Sequence, residues 1–117
     1  MTELANQSSN NVGKSLSING VNYATCCSGI KYKNRDDLLL IVLDSGSHVC
    51  GCFTVSTMPS APVVWSKKNI KKATNASQKH ILLINAGNAN AFTGEEGLLA
   101  CEEKALALAI SLNVTES

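Results

Sequence analysis

Residues 80–97 read HILLINAGNANAFTGEEG, and this stretch decides the fold. The strand read over Ile81 to Asn85 ends in small residues and further asparagines, then the chain restarts as an acidic segment. A short apolar run, a glycine and then helical periodicity describe a core strand passing through a loop into a helix. Leu98, Cys101, Ala105, Leu108 or Ala109, and Leu112 recur at helical spacing and predict a helix over 94–112. Thr93 with Glu96 three residues on forms a capping-box pattern, and Glu95 and Glu96 suit the positive end of a helix. Asn113 suits a left-handed C-cap. A strand-to-helix loop needs only one glycine, so Asn85, Asn88 and Asn90 ask for an explanation.

Upstream, RDDLLLIVLD carries six consecutive aliphatics, Leu38 to Leu43, which fit a strand buried on both faces. VCGCFTVST after the SGSH turn reads as a further strand that pairs with it as a hairpin. Asn19-Gly20 marks a turn before an extended segment, Val21 to Thr25. Pro59 and Pro62 close the hairpin unit, and Val63 to about Ala73 reads as a short helix. NASQ is a loop before the strand at 81–85. The order is strand, strand, strand, short helix, strand, long helix, so the fold class is α+β (mixed α/β). Residues 1–15 read as a flexible lead-in and 16–117 as part of a single larger domain. Burying helix 94–112 and both faces of the sheet requires another layer, and VTES heads towards a further strand. The sequence reads as the first part of something longer.

Composition narrows the functional classes. The 117 residues suffice for one domain with a modest core, and 44% apolar with 16% charged residues describes a globular chain. Ten Lys+Arg against nine Asp+Glu give a net charge of +1, with no global attraction to nucleic acid or an anionic membrane. Aromatics at 4% argue against a base-stacking platform. No apolar run approaches a membrane span, and the polar start lacks a signal-peptide core. Five cysteines in such a chain imply reduced thiols and a cytoplasmic location. Cys50 and Cys52 would share one face of a strand, but zinc-knuckle spacing and a histidine at ligand spacing are absent. No metal site is expected, and the cysteines read as small buried hydrophobes.

Three motifs bear on chemistry. Ser28-Gly-Ile-Lys31 matches S-x-x-K of serine acyl enzymes, but Gly29 and an extended context speak against the helix that chemistry needs. KKNIKK is a solvated helix face with Ile70 turned inward rather than a binding patch. His48 and His80 have no partner legible in sequence. The loop of the opening stretch remains. It leaves the carboxyl end of a strand and feeds a helix N-terminus, a common ligand position in sheet proteins. Gly87 permits positive φ or close approach, and Asn85, Asn88 and Asn90 offer amide donors and carbonyl acceptors to a substrate or an oxyanion. It is not a phosphate loop, since the glycine spacing and lysine are missing. Taken alone, these amides read first as groups that satisfy loop backbone, ahead of a substrate role.

NAGNANAFTGEEG, together with SGIKYKNRDDLLLIVLD, GCFTVSTMPSAPV and Lys67, resembles the amino-terminal part of the bifunctional ornithine acetyltransferase/glutamate N-acetyltransferase of arginine biosynthesis. The family's blocks run approximately A-G-I-K-x-x-x-x-D-L-x-L, G-V-F-T-x-N-x-x-x-A-P-V and N-[SA]-G-N-A-N-A-x-T-G-x-x-G, in this order. The resemblance implies acetyl transfer from N-acetylornithine to glutamate by a ping-pong route, in an αββα sandwich like that of amino-terminal-nucleophile hydrolases. It implies self-cleavage into two chains, with the new amino-terminal threonine of the second as nucleophile. That threonine lies in an A-T-M-L-type segment and the oxyanion pair in an S-T-G-type segment, and neither occurs in residues 1–117. Ser56, Cys52 and Lys67 stand where the family usually has Asn, Val and Arg. No catalytic residue therefore carries over, and this chain alone is expected to be inactive. Asn85, Gly87, Asn88 and Asn90 remain as substrate-binding or site-supporting residues. Implied partners are the remainder of the α chain, the β chain with the nucleophile, and the two small-molecule substrates, in an oligomer. No cofactor is expected; acetyl-CoA as a co-substrate of the full-length family stays open. The alternative is a non-catalytic stand-alone binding or assembly module that retains the first half of the fold.

Overall fold

A computed structural model describes residues 17–72 and 77–113. The lead-in at 1–15, the first two residues of NASQ and the VTES tail lie outside the described residues. The described elements are β1 (Val21–Cys26), β2 (Leu38–Leu43), α1 (Ala61–Lys72), β3 (His80–Asn85) and α2 (Gly94–Ser111). They fall into two compact units. One draws on Met1–Ser47 and Lys79–Gly87, the other on His48–Gln78 and Asn88–Ser117.

The first unit is an antiparallel sheet in the order β1-β2-β3. Val21 pairs with Leu43 and Cys26 with Leu38 on one side of β2, and Leu43 pairs with His80 and Leu38 with Asn85 on the other. β2 is central because its six aliphatics gain most from flanking strands. Each is only half-buried, not enclosed on both faces as expected, because the described residues of this unit supply no second layer. β3, by contrast, alternates, with Leu82 and Ile84 at 51% and 45% exposure and Ile81 and Leu83 half-covered. Gly20 takes φ +81° at the predicted turn, where the Asp44 N–H donates to its carbonyl and the Val21 N–H donates to that of Ile18.

The second unit pairs α1 with α2. α1 starts at Ala61, two residues earlier than the periodicity indicated, because Pro62 sits in its first turn, where a missing N–H costs nothing. Ala61 is the buried hydrophobic anchor of this unit. Lys67, Lys68 and Lys71 are exposed and Ile70 is half-buried, so the helix has the solvated basic face that its pattern described. Asn113 takes φ +51° and donates its N–H to the Ile110 carbonyl, ending α2 as expected.

Two further expectations fail here. VCGCFTVST forms no strand, because both edges of β2 are occupied, by β1 and β3. The segment instead satisfies backbone groups locally: the Ser56 N–H donates to Thr54 Oγ1 at 3.1 Å, and the Met58 N–H donates to Ser56 Oγ at 3.2 Å. Nor are the cysteines buried hydrophobes. Cys26, Cys27, Cys50 and Cys52 are exposed and only Cys101 is half-covered. With the strand absent, the shared strand face that would have paired Cys50 with Cys52 is absent too.

Candidate functional site

The loop between β3 and α2, residues 86–93, is anchored at both ends. At its start, Asn85 closes β3 opposite Leu38, and the Ala86 N–H donates to the Asp37 carbonyl at 2.9 Å. Gly87 takes φ +95°, and a Cβ placed there would collide with the Lys31 stem, lying 2.6 Å from its Cδ. The glycine is therefore required twice, by conformation and by space.

What holds Lys31 in that position is Asp37, 3% exposed and the buried polar residue among those described. Its carboxylate accepts the Ser28 N–H at 2.7 Å, the Ser28 hydroxyl at 2.7 Å and the Lys31 N–H at 3.1 Å. The Ser28 hydroxyl, opposed by burial and aided by the Ser28, Lys31 and Ile30 N–H groups, holds this carboxyl well below the usual carboxylate range. Ser28 and Lys31 thus belong to a carboxylate-centred turn with Gly29 at φ +76°. The S-x-x-K spacing is not an acyl-enzyme pair: the hydroxyl is committed to Asp37. Sequence reasoning missed Asp37, since its RDD context resembles any charged strand entry.

At the other end, Asn90 is the hub. It takes φ +46°, a left-handed conformation that Asn tolerates better than most residues. Its backbone N–H donates to Asn88 Oδ1 at 2.9 Å, an Asx turn. Its Nδ2 donates to the Gly97 carbonyl at 2.9 Å and reaches Cys101 Sγ at 3.7 Å, tying the loop to α2. Its carbonyl accepts the Ala61 N–H at 3.2 Å, tying the loop to the start of α1. Thr93 Oγ1 donates towards Asn90 Oδ1 at 2.8 Å, and towards the Asn90 carbonyl at 3.2 Å. The expected capping box is therefore not formed: Thr93 occupies the N-cap position, but its hydroxyl is spent on Asn90 and makes no side-chain cap bond. Gly97 is buried in the first turn of α2, where a Cβ would strike Thr93 Oγ1.

Between Asn90 and Thr93 the loop turns Phe92 outward, at φ +59° and 82% exposure. Phe92, Thr93 and Gly94 face Thr57, Met58 and Pro59 across an open, mainly apolar hollow of about 340 Å³, with Val64 and Leu98 in its wall. STMP and NANAFTG, remote in sequence, thus meet within one unit. His80 Nε2 lies 3.2 Å from the Ser47 carbonyl and is engaged with backbone, while His48 is exposed. Among the described residues no group of three or more His, Cys, Asp or Glu side chains gathers where a metal ion could be held.

The description of the ArgJ family matches residues 22–117, most of the sequence. The chain belongs to the ArgJ family. Among similar proteins, the arginine biosynthesis bifunctional protein ArgJ of Nitrobacter winogradskyi is 50% identical over 80 residues, which are 68% of this chain and 19% of that protein. ArgJ of Agrobacterium fabrum is 42% identical over 99 residues, 85% of this chain and 23% of that protein. The crystal structure of ArgJ from Bacillus halodurans superposes with a TM-score of 0.72 at 24% identity, covering 83% of this chain and 49% of that one. This chain thus carries part of the ArgJ fold, which is of amino-terminal-nucleophile type. It spans about a fifth of the length of curated ArgJ relatives that it matches.

Proposed function

We propose that this chain is the amino-terminal portion of a single larger acetyltransferase domain that moves acetyl from N-acetylornithine to glutamate. In this reading a threonine hydroxyl outside residues 1–117 attacks the acetamide carbonyl and ornithine leaves as the amine. The glutamate amine then takes the acetyl group from the threonine ester and returns the proton to the hydroxyl. Asn85, Gly87, Asn88 and Asn90 form the loop that borders this exchange. Asn88 and Asn90 support it rather than attack, since their amides are committed within the loop and to α2. The remainder of the α chain, the β chain and the two amino-acid substrates are the partners, in a cytoplasmic oligomer. Among the described residues no helix is long and apolar enough to cross a membrane.

The observation that carries the proposal is the meeting of two family blocks at Asn90, in a chain matched to ArgJ over residues 22–117. The test is to graft residues 22–113 into A. fabrum ArgJ in place of its matching segment. The purified graft is then assayed for transfer of acetyl from N-acetylornithine to glutamate. Retained transfer, with self-cleavage into two chains, is expected. A graft that folds and cleaves but transfers nothing refutes the reading.

A further inference from the structure

The turn of Ser28–Lys31 is more than a support for Gly87. Lys31 has its backbone N–H fixed by the buried Asp37 and its methylene stem laid against Gly87. Its ammonium stands 5.4 Å from the centroid of the Tyr32 ring, and the Arg35 guanidinium lies 3.9 Å from the same centroid. Two cations thus gather at one aromatic ring beside the start of the loop. Neither cation forms a direct ion pair with the nearby acids among the described residues. Asp37 spends its carboxylate on Ser28 and Lys31 N–H groups, and Asp36 accepts the Thr25 hydroxyl. Among the described residues, neither Lys31 nor Arg35 has a carboxylate oxygen within 4.0 Å, whereas Lys79 meets Asp44 at that distance.

An exposed lysine normally gives up rotamer freedom when it binds an anion. Here the stem is already ordered by contact with the loop, so much of that loss precedes binding. A cation pinned in this way, backed by a second on the same ring, is organised to receive a carboxylate.

We propose that Lys31, assisted by Arg35, binds the α-carboxylate of the amino-acid substrate and so helps set specificity for α-amino acids. The choice of ligand rests on the acetyl-transfer reading above. Asp37 and Gly87 are positioning residues for Lys31; they do not touch the substrate.

The test uses the grafted ArgJ enzyme and two readouts, steady-state kinetics and calorimetric titration with glutamate. Lys31→Met keeps the stem on Gly87 and removes only the charge. It is expected to raise the KM for glutamate and weaken its binding by about tenfold or more, with kcat little changed. Lys31→Arg recovers most of the loss, Arg35→Gln gives a smaller effect in the same direction, and Lys79→Met gives none. An unchanged KM and affinity in both Lys31→Met and Arg35→Gln overturns the proposal, as does a folded graft that binds no glutamate at all. A graft that binds glutamate without acetyl transfer defeats the catalytic reading, yet its titration still decides the role of Lys31.

Discussion

Replacing Asn90 separates the two things this residue does. In Asn90→Ala the amide is lost, and with it the bonds to the Gly97 carbonyl at 2.9 Å and from Thr93 Oγ1 at 2.8 Å. The first, part-buried, contributes about 1 kcal/mol net, and the second, exposed, about 0.5–1 kcal/mol. The backbone stays at φ +46°, where alanine costs about 1 kcal/mol more than asparagine. The 3.7 Å approach to Cys101 Sγ is weak and adds little. Asn90→Ala should therefore destabilise the protein by about 3 kcal/mol. Asn90→Gly loses the same side-chain bonds but accepts the left-handed backbone, so it should be milder by about 1 kcal/mol. The assay is equilibrium urea denaturation of all three proteins, followed by circular dichroism, with midpoints compared through a shared m-value. Asn90→Ala within about 0.5 kcal/mol of wild type would refute the hub assignment. Glycine no better than alanine would refute the backbone part of it.

Three further outcomes follow from the same geometry. Gly97→Ala should destabilise by about 1–2 kcal/mol although alanine favours helix, because its Cβ enters the space of Thr93 Oγ1; adding Thr93→Ala should relieve about 1 kcal/mol, as a double-mutant cycle measures. Because the Asp37 carboxyl is depressed in the folded state, its stabilisation is complete above the unfolded value of about 4 and lost as pH falls below it. Asp37→Asn should accordingly flatten the acid limb of a plot of urea midpoint against pH, and an unaltered limb would remove Asp37 from the account. In timed iodoacetamide labelling read by peptide mass, Cys101 should lag behind Cys26, Cys27, Cys50 and Cys52, and equal rates would contradict its cover by Asn90.

Much of the fold was legible because its signals are local. The aliphatic run Leu38–Leu43 became β2 with the same bounds, and helical spacing found α2 to within a residue. The left-handed Asn113 was also readable, since asparagine favours that conformation beside a helix end. What escaped depends on partners remote in sequence. Nothing in VCGCFTVST announces that β3, arriving much later, takes the edge of β2 that a hairpin needs. The Thr93–Glu96 pattern was sound as a cap, but sequence does not show Asn90 competing for the same hydroxyl. The candidate loop was found by composition, and the roles of Asn88 and Asn90 in it lay within the alternatives that composition left. The Asp37 turn was invisible: a buried carboxylate and a surface one are spelled alike.

The register of β2 with β3 also imposes an order of assembly on synthesis. β1 and β2 are joined by residues 27–37, a shorter connection than that from β2 to β3, and the Asp37 N–H donates to the Cys26 carbonyl to close it, so that hairpin can form as soon as Leu43 is available. The opposite edge of β2 waits for His80–Asn85, with all of α1 translated in between. The loop-closure cost of that excursion grows only slowly with its length, so delay rather than instability is the consequence. Throughout the delay LLLIVL presents an unpaired aliphatic edge, the kind of segment that recruits strands from other chains. Crowded translation is therefore the moment at which this polypeptide is most exposed to aggregation, and the arrival of Asn85 ends it.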